Sequence, residues 1–146
     1  MGDRVIELRV WRLRPSARLP ARATPDATGL DLYASLDQPV TLTRAPQRVA
    51  TGIAIEAPAG VDVQVRPRSG LSARGVAVAF GTIDADYRGE VLVTMWTVGD
   101  CDMWRLRDGD RIAQLVVAST VSAQVVEVAE LSPSQRGGGG HGSTGR

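Results

Sequence analysis

Apolar and polar positions alternate along most of the chain with the two-residue period of β-strands. The clearest run is Val61-Asp62-Val63-Gln64-Val65-Arg66, where every second side chain is valine, so one face is suited to burial and the other to water. Similar runs occupy residues 5–13, 39–43, 52–56, 76–80, 90–97, 112–118 and 124–130. Turn formers stand between them: Pro58-Ala59-Gly60, residues 84–89, Gly99-Asp100 and Asp108-Gly109-Asp110. Short strands with such punctuation predict an all-β fold, a β-sandwich, barrel or jelly roll. At most one short helix is expected, one or two turns following Ser69, whose hydroxyl is placed to cap it.

Two stretches break the alternation. Residues 14–29 are rich in Arg, Ala and Pro and read as an irregular entry loop. Residues 132–146 hold no apolar periodicity, and six of the sixteen glycines fall within 137–145, the composition of a flexible end. The predicted organisation is one β domain over residues 1–131 followed by a flexible glycine-rich segment, 132–146.

A length of 146 residues suits one domain, and 43% hydrophobic residues suffice for a packed core. The net charge is +1, with seventeen Arg, no Lys and no dense basic cluster, which argues against a nucleic-acid partner. A single cysteine, Cys101, excludes an internal disulfide, and a single histidine, His141, excludes a two-histidine metal motif. The N-terminal residues do not read as a signal peptide, and no apolar run approaches the ~18 residues of a bilayer span. A soluble, cytoplasmic protein without membrane contact is expected.

Four segments carry candidate chemistry. In Arg136-Gly137-Gly138-Gly139-Gly140-His141-Gly142-Ser143-Thr144-Gly145, glycine amides, two hydroxyls and a guanidinium suit phosphate, and a lid closing over phosphates is the sharper reading beside a plain tail. It is not a Walker A loop, since Ser143 stands where lysine is required. Arg66-Pro67-Arg68-Ser69-Gly70-Leu71 follows the clean strand and reads either as an anion site or as a strand-to-turn corner. Gly81-Thr82-Ile83-Asp84-Ala85-Asp86-Tyr87-Arg88-Gly89-Glu90 has the flanks of a hairpin; its acidic residues read as turn formers, or Asp84 as a general base beside an aromatic platform. In Gly109-Asp110-Arg111-Ile112-Ala113-Gln114-Leu115, Gln114 is the polar member of an apolar strand, facing solvent or holding a phosphate or a water.

Taken in order, and with Ala23-Thr24-Pro25-Asp26-Ala27-Thr28-Gly29-Leu30-Asp31-Leu32 as a fifth, these segments resemble the motifs of the trimeric dUTPase family from about residue 15 onward. The resemblance implies a jelly-roll subunit of a homotrimer, with sites at subunit interfaces and each C-terminal lid closing over a neighbour's site. It implies Mg²⁺ and hydrolysis of dUTP to dUMP and pyrophosphate. By motif position, Asp84 is the general base whose water attacks the α-phosphorus. Tyr87 packs on the deoxyribose, and Thr82 and Ile83 belong to the base-recognising segment. Arg68, Ser69, Gly70 and Gln114 hold phosphate oxygens, with Gln114 counted beside Asp84 in the catalytic pair. Arg136, His141, Gly142 and Ser143 complete the site from the lid. No direct protein ligand to Mg²⁺ is implied; the triphosphate and water hold it, with Asp31 touching bound water or tying its loop to the core.

The chain departs from the family pattern at the base-recognising positions. His141 stands where phenylalanine is usual and Val78 where asparagine is common, while Ala79-Phe80 replaces a frequent Ser-Pro and Ser72 a frequent alanine. Alternative readings are a dCTP deaminase or bifunctional deaminase of the same fold, and a catalytically silent trimeric binding module.

Overall fold

Val61, Val63 and Val65 are buried while Asp62 and Gln64 are only partly so and Arg66 is exposed, the pattern that strict alternation requires of a sheet with one covered face. The computed structural model describes residues 5–142, 144 and 145 of the chain. In chain order its first strands are β1 (Arg9–Arg12), β2 (Leu30–Tyr33), β3 (Val40–Leu42), β4 (Gln47–Glu56) and β5 (Val61–Arg66). A single helical turn, α1 (Ser69–Ala73), follows. The remaining strands are β6 (Val76–Val78), β7 (Gly81–Ile83), β8 (Glu90–Thr97), β9 (Trp104–Leu106) and β10 (Arg111–Ser119).

The strands form two four-stranded sheets, ordered β1-β4-β8-β6 and β2-β10-β5-β7, with β3 and β9 making a separate pair. All neighbouring strands are antiparallel. Ile53, Val93 and Met95 of the first sheet and Leu32, Val63, Ile112 and Leu115 of the second are buried in one shared core, with Leu42 and Leu106 closing it from the small pair. Each such side chain contributes roughly 1.5–3 kcal/mol by leaving water. The all-β class follows the alternation, the two sheets packed on one core suit the jelly roll that the resemblance implies, and one short helix stands where Ser69 suggested it. No helix among the described residues is long and apolar enough to cross a membrane.

Three local expectations are corrected. Residues 124–130 form no strand: the last strand ends at Ser119, and Val125 is 95% exposed. Alternation supplies a face, but a strand also needs a neighbour for its N–H and C=O groups, and none of the named strands pairs with this segment. The helical turn is capped by position rather than by a hydroxyl: Arg68 is the N-cap residue, extended at φ −96° and ψ 131°, and no side chain caps the turn. Nor do the flanks of residues 84–89 make a hairpin with each other. β7 pairs with β5, whereas β8 pairs with β4 and β6, so the turn carries the chain from one sheet to the other.

Candidate active site

β7 lies at the edge of its sheet, with Ile83 opposite Val63, Thr82 opposite Gln64 and Gly81 opposite Val65. An edge strand leaves one row of backbone donors and acceptors unpaired. Beyond Ile83 the chain turns sharply: the Tyr87 amide donates to the Asp84 carbonyl at 3.0 Å. Arg88 straps the turn, its guanidinium donating to the carbonyls of Ala85 (2.6 Å) and Tyr87 (3.2 Å) and reaching Glu56 at 3.4 Å. The Tyr87 hydroxyl donates to the Glu90 carbonyl at 2.8 Å, and the phenol lies over Gly89, where any Cβ would overlap it. The Asp84 carboxylate is exposed and accepts no hydrogen bond from the described residues. It borders a cleft of about 220 Å³ lined by Val65, Gly81, Thr82, Ile83, Tyr87 and the first residues of β8.

A second group forms where three strands of the same sheet meet. Gln114 of β10 stands opposite Asp31 of β2 on one side and Arg66 of β5 on the other. Its amide nitrogen donates to the Pro67 carbonyl at 2.8 Å, which holds the corner leading into α1. Its Oε1 occupies the space that Gly29 leaves by having no Cβ. Asp31 is 7% exposed, a burial that a carboxylate tolerates only when paired. It accepts from Arg68 Nε at 3.1 Å and lies 3.7 Å from Arg111 Nη1. This ion pair orients Arg68 while leaving its terminal nitrogens to other acceptors. Arg68, Arg105 and Arg111 border a cleft of about 280 Å³ that Asp110 also lines; counting Asp31, which pairs with two of them, three cations face two carboxylates, so the field there still favours anions. Ser69 and Gly70 are exposed beside it.

The described part of the tail is a succession of turns. Arg136 Nε donates to the Gly139 carbonyl at 2.5 Å, and the Gly137 amide donates to Ser134 Oγ at 3.1 Å. Gly137 and Gly142 lie at positive φ, and so does His141 at 52°, the one such non-glycine residue among those described. His141 is exposed. Ser143 lies outside the described residues.

One chain does not gather these groups into a single site. Gln114 is level with Arg66 at one end of β5, while Asp84 continues past Ile83, which is level with Val63. Three to four residues at about 3.4 Å each place them roughly 10–14 Å apart along the sheet. The cleft beside Asp84 contains neither Arg68 nor Gln114. Sequence patterns alone did not single out Gly29, Arg105, Arg111 or the glycine beneath Tyr87, although the excess of arginine around the fourth motif was a signal. Among the described residues, no three His, Cys, Asp or Glu side chains gather in a way that could hold a metal ion.

Residues 16–145 match the family model described as dUTPase. The chain is 51% identical over 142 residues to the deoxyuridine 5'-triphosphate nucleotidohydrolase of Anaeromyxobacter sp. (strain Fw109-5), covering 94% of this chain and 95% of that one. It is 47% identical over 145 residues to the enzyme of the same name from Hydrogenobaculum sp. (strain Y04AAS1), covering 96% and 99%. Among solved structures it is similar to the Staphylococcus bacteriophage 80alpha dUTPase with dUPNHPP, at 25% identity and a TM-score of 0.85, covering 96% of this chain and 99% of that chain.

Proposed function

The chain belongs to the dUTPase family, and from this premise we propose that it hydrolyses dUTP, bound as its Mg²⁺ complex, to dUMP and pyrophosphate. The observation that carries the reading is the Asp84 carboxylate, unpartnered and open to water, at the rim of a small cleft beside Tyr87. An ionised carboxylate so placed accepts a proton from water and orients it for attack on the α-phosphorus. Tyr87 presents its ring to the deoxyribose and leaves no room for a 2′-hydroxyl. The free backbone edge at Thr82 and Ile83 hydrogen-bonds the uracil.

The phosphates go to the arginine-rich end of the sheet. Arg68 donates from its terminal nitrogens, with the exposed amides of Ser69 and Gly70 beside it. Gln114 acts by holding the Pro67 corner in place and presents its amide to the phosphates or the attacking water. Residues 132–146 act as a lid over the body formed by residues 1–131. In it Arg136 exchanges its internal bond to Gly139 for phosphate oxygens, His141 stacks on the base, and Gly142 and Ser143 supply further donors.

The triphosphate and water, rather than side chains of this protein, would hold Mg²⁺, which would supply charge screening and polarisation of the phosphoryl oxygens. Asp31 does not fit as a direct ligand, because its carboxylate already serves Arg68 and Arg111; its role is to fix Arg68.

The separation of Asp84 from Arg68 and Gln114 supports a site shared between copies of the chain, a homotrimer in which one subunit's Asp84 turn faces another's arginine corner. The unpaired apolar residues Val121, Val125, Val126, Val128 and Leu131 support the same arrangement, since a second copy supplies the strand neighbour that one copy lacks. A lone thiol, Cys101, suits a reducing cytoplasm.

The test is a panel of deoxy- and ribonucleoside triphosphates with Mg²⁺, with products resolved by chromatography. dUMP and pyrophosphate from dUTP, with UTP and dCTP left intact, are expected. Deamination of dCTP, or nucleotide binding without turnover, would overturn the reading.

A further inference from the structure

Tyr87 is held from below by a network that reaches the other sheet. In β4 the residues from Ala50 to Ala54 face only Leu92 to Glu90 of β8, a bulge that breaks the ladder. Gly52 sits in the bulge at φ +70°, where a Cβ would come 2.7 Å from that of Ala17 and 2.8 Å from Ser35 Oγ. The amide of Gly52 donates to Glu90 Oε1 at 2.9 Å, and the same oxygen accepts from Arg14 Nη2. Both side chains are largely covered, Arg14 at 33% exposure and Glu90 at 25%. The backbone beside this pair is pinned as well. Leu13 donates to the Gly52 carbonyl at 2.8 Å, and Thr51 Oγ1 donates to the Val91 carbonyl at 2.5 Å. The carbonyl of this same Glu90 accepts the Tyr87 hydroxyl.

We infer that Arg14, acting through Glu90, is a positioning residue that sets the height of the Tyr87 ring over the sugar site and thereby the preference for deoxyribose. Arg14 and Glu90 are 76 residues apart in sequence, and no motif includes Arg14. The ion pair clamps the first residue of β8 against the bulge, so the Glu90 carbonyl is a fixed anchor instead of the mobile end of a turn. Without the clamp the anchor shifts, the phenol follows it, and the clearance that excludes a 2′-hydroxyl opens. A misplacement of under an ångström is enough to change reactivity by an order of magnitude or more.

The inference rests on the reading of Tyr87 as the sugar-facing side chain, and the experiment separates the two. Arg14→Met, Arg14→Lys, Tyr87→Phe and the double variant Arg14→Met/Tyr87→Phe are compared with wild type for kcat and KM on dUTP and UTP. Arg14→Met is expected to lower the dUTP-to-UTP ratio of kcat/KM by roughly tenfold, mostly through KM. Arg14→Lys should recover part of it. Tyr87→Phe should lose a similar amount, and the double variant no more than the larger single effect, because both act on one anchor. Should Arg14→Met fail to fold, Arg14→Gln gives the same measurement, since it keeps a polar head at this half-covered position but is shorter and uncharged and does not hold Glu90 as the guanidinium does. An unchanged ratio in a folded Arg14→Met or Arg14→Gln protein, or additive losses in the double variant, overturns the inference alone. A wild-type enzyme that does not distinguish dUTP from UTP overturns the reading of Tyr87 and the inference together.

Discussion

Asp84 and Gly29 show how differently single residues carry this site. Asp84 has no partner among the described residues, so replacing its charge disturbs none of their bonds. Asp84→Asn is expected to lower kcat ~10²–10⁴-fold, the range of a general base, while a non-hydrolysable dUTP analogue binds normally by calorimetry. Near-normal turnover would remove Asp84 from the mechanism. Gly29 does its work by lacking a Cβ. Gly29→Ala places a methyl where Gln114 Oε1 lies and forces that side chain off the Pro67 carbonyl. A half-buried acceptor and donor then lose their bond, at about 1 kcal/mol. A lower urea midpoint together with a higher KM is the expected result, and unchanged values in both would show that Gln114 repacks freely. The identity of Asp31 was visible in the sequence, but its pairing with Arg68 and Arg111 was not, because the partners lie 37 and 80 residues further along and meet only when β10 pairs with both β2 and β5.

Among the elements, the strands that could be read are those whose alternation meets a single covered face. β5 and β8 span the residues their patterns predict. β2 was missed because Asp31 occupies a buried position in it, a polar residue made tolerable by arginine from elsewhere. β9 is three residues long, too short to show a period. The alternation over residues 124–130 misled in the other direction, since a period reports a face and not a partner. The tail belongs to this scale as well. Truncation after Ser134 removes no strand and no core residue, so circular dichroism and the unfolding transition should be unchanged. Turnover should fall strongly, because ordering Arg136 on the phosphates and excluding water need the lid. A truncated protein as fast as the full chain would show that the glycines are only a tail.

For the whole molecule, the decisive quantity is the roughly 10–14 Å between Asp84 and Gln114 on one chain. If subunits share sites, two inactive variants should restore each other. Asp84→Asn keeps the arginine corner and Arg68→Ala keeps the base, so after unfolding together and refolding at equal amounts about a quarter of the sites combine both intact halves. Recovery near that fraction, with sedimentation showing a trimer, is expected; no recovery from a verified mixed trimer would place each site within one subunit. What the sequence by itself determined is local. It contained the strand faces, the turn residues and the kinds of side chain that bind phosphate and activate water, because period, steric freedom and charge belong to each residue wherever it stands. The rest was decided by the tertiary structure: the transfer of the chain between sheets at residues 84–89, the burial of Asp31 between two arginines and the anchoring of Tyr87 through Glu90 to Arg14. Each depends on strands distant in the chain finding one another, and such pairing is set by the packing of the whole core rather than by any segment within it.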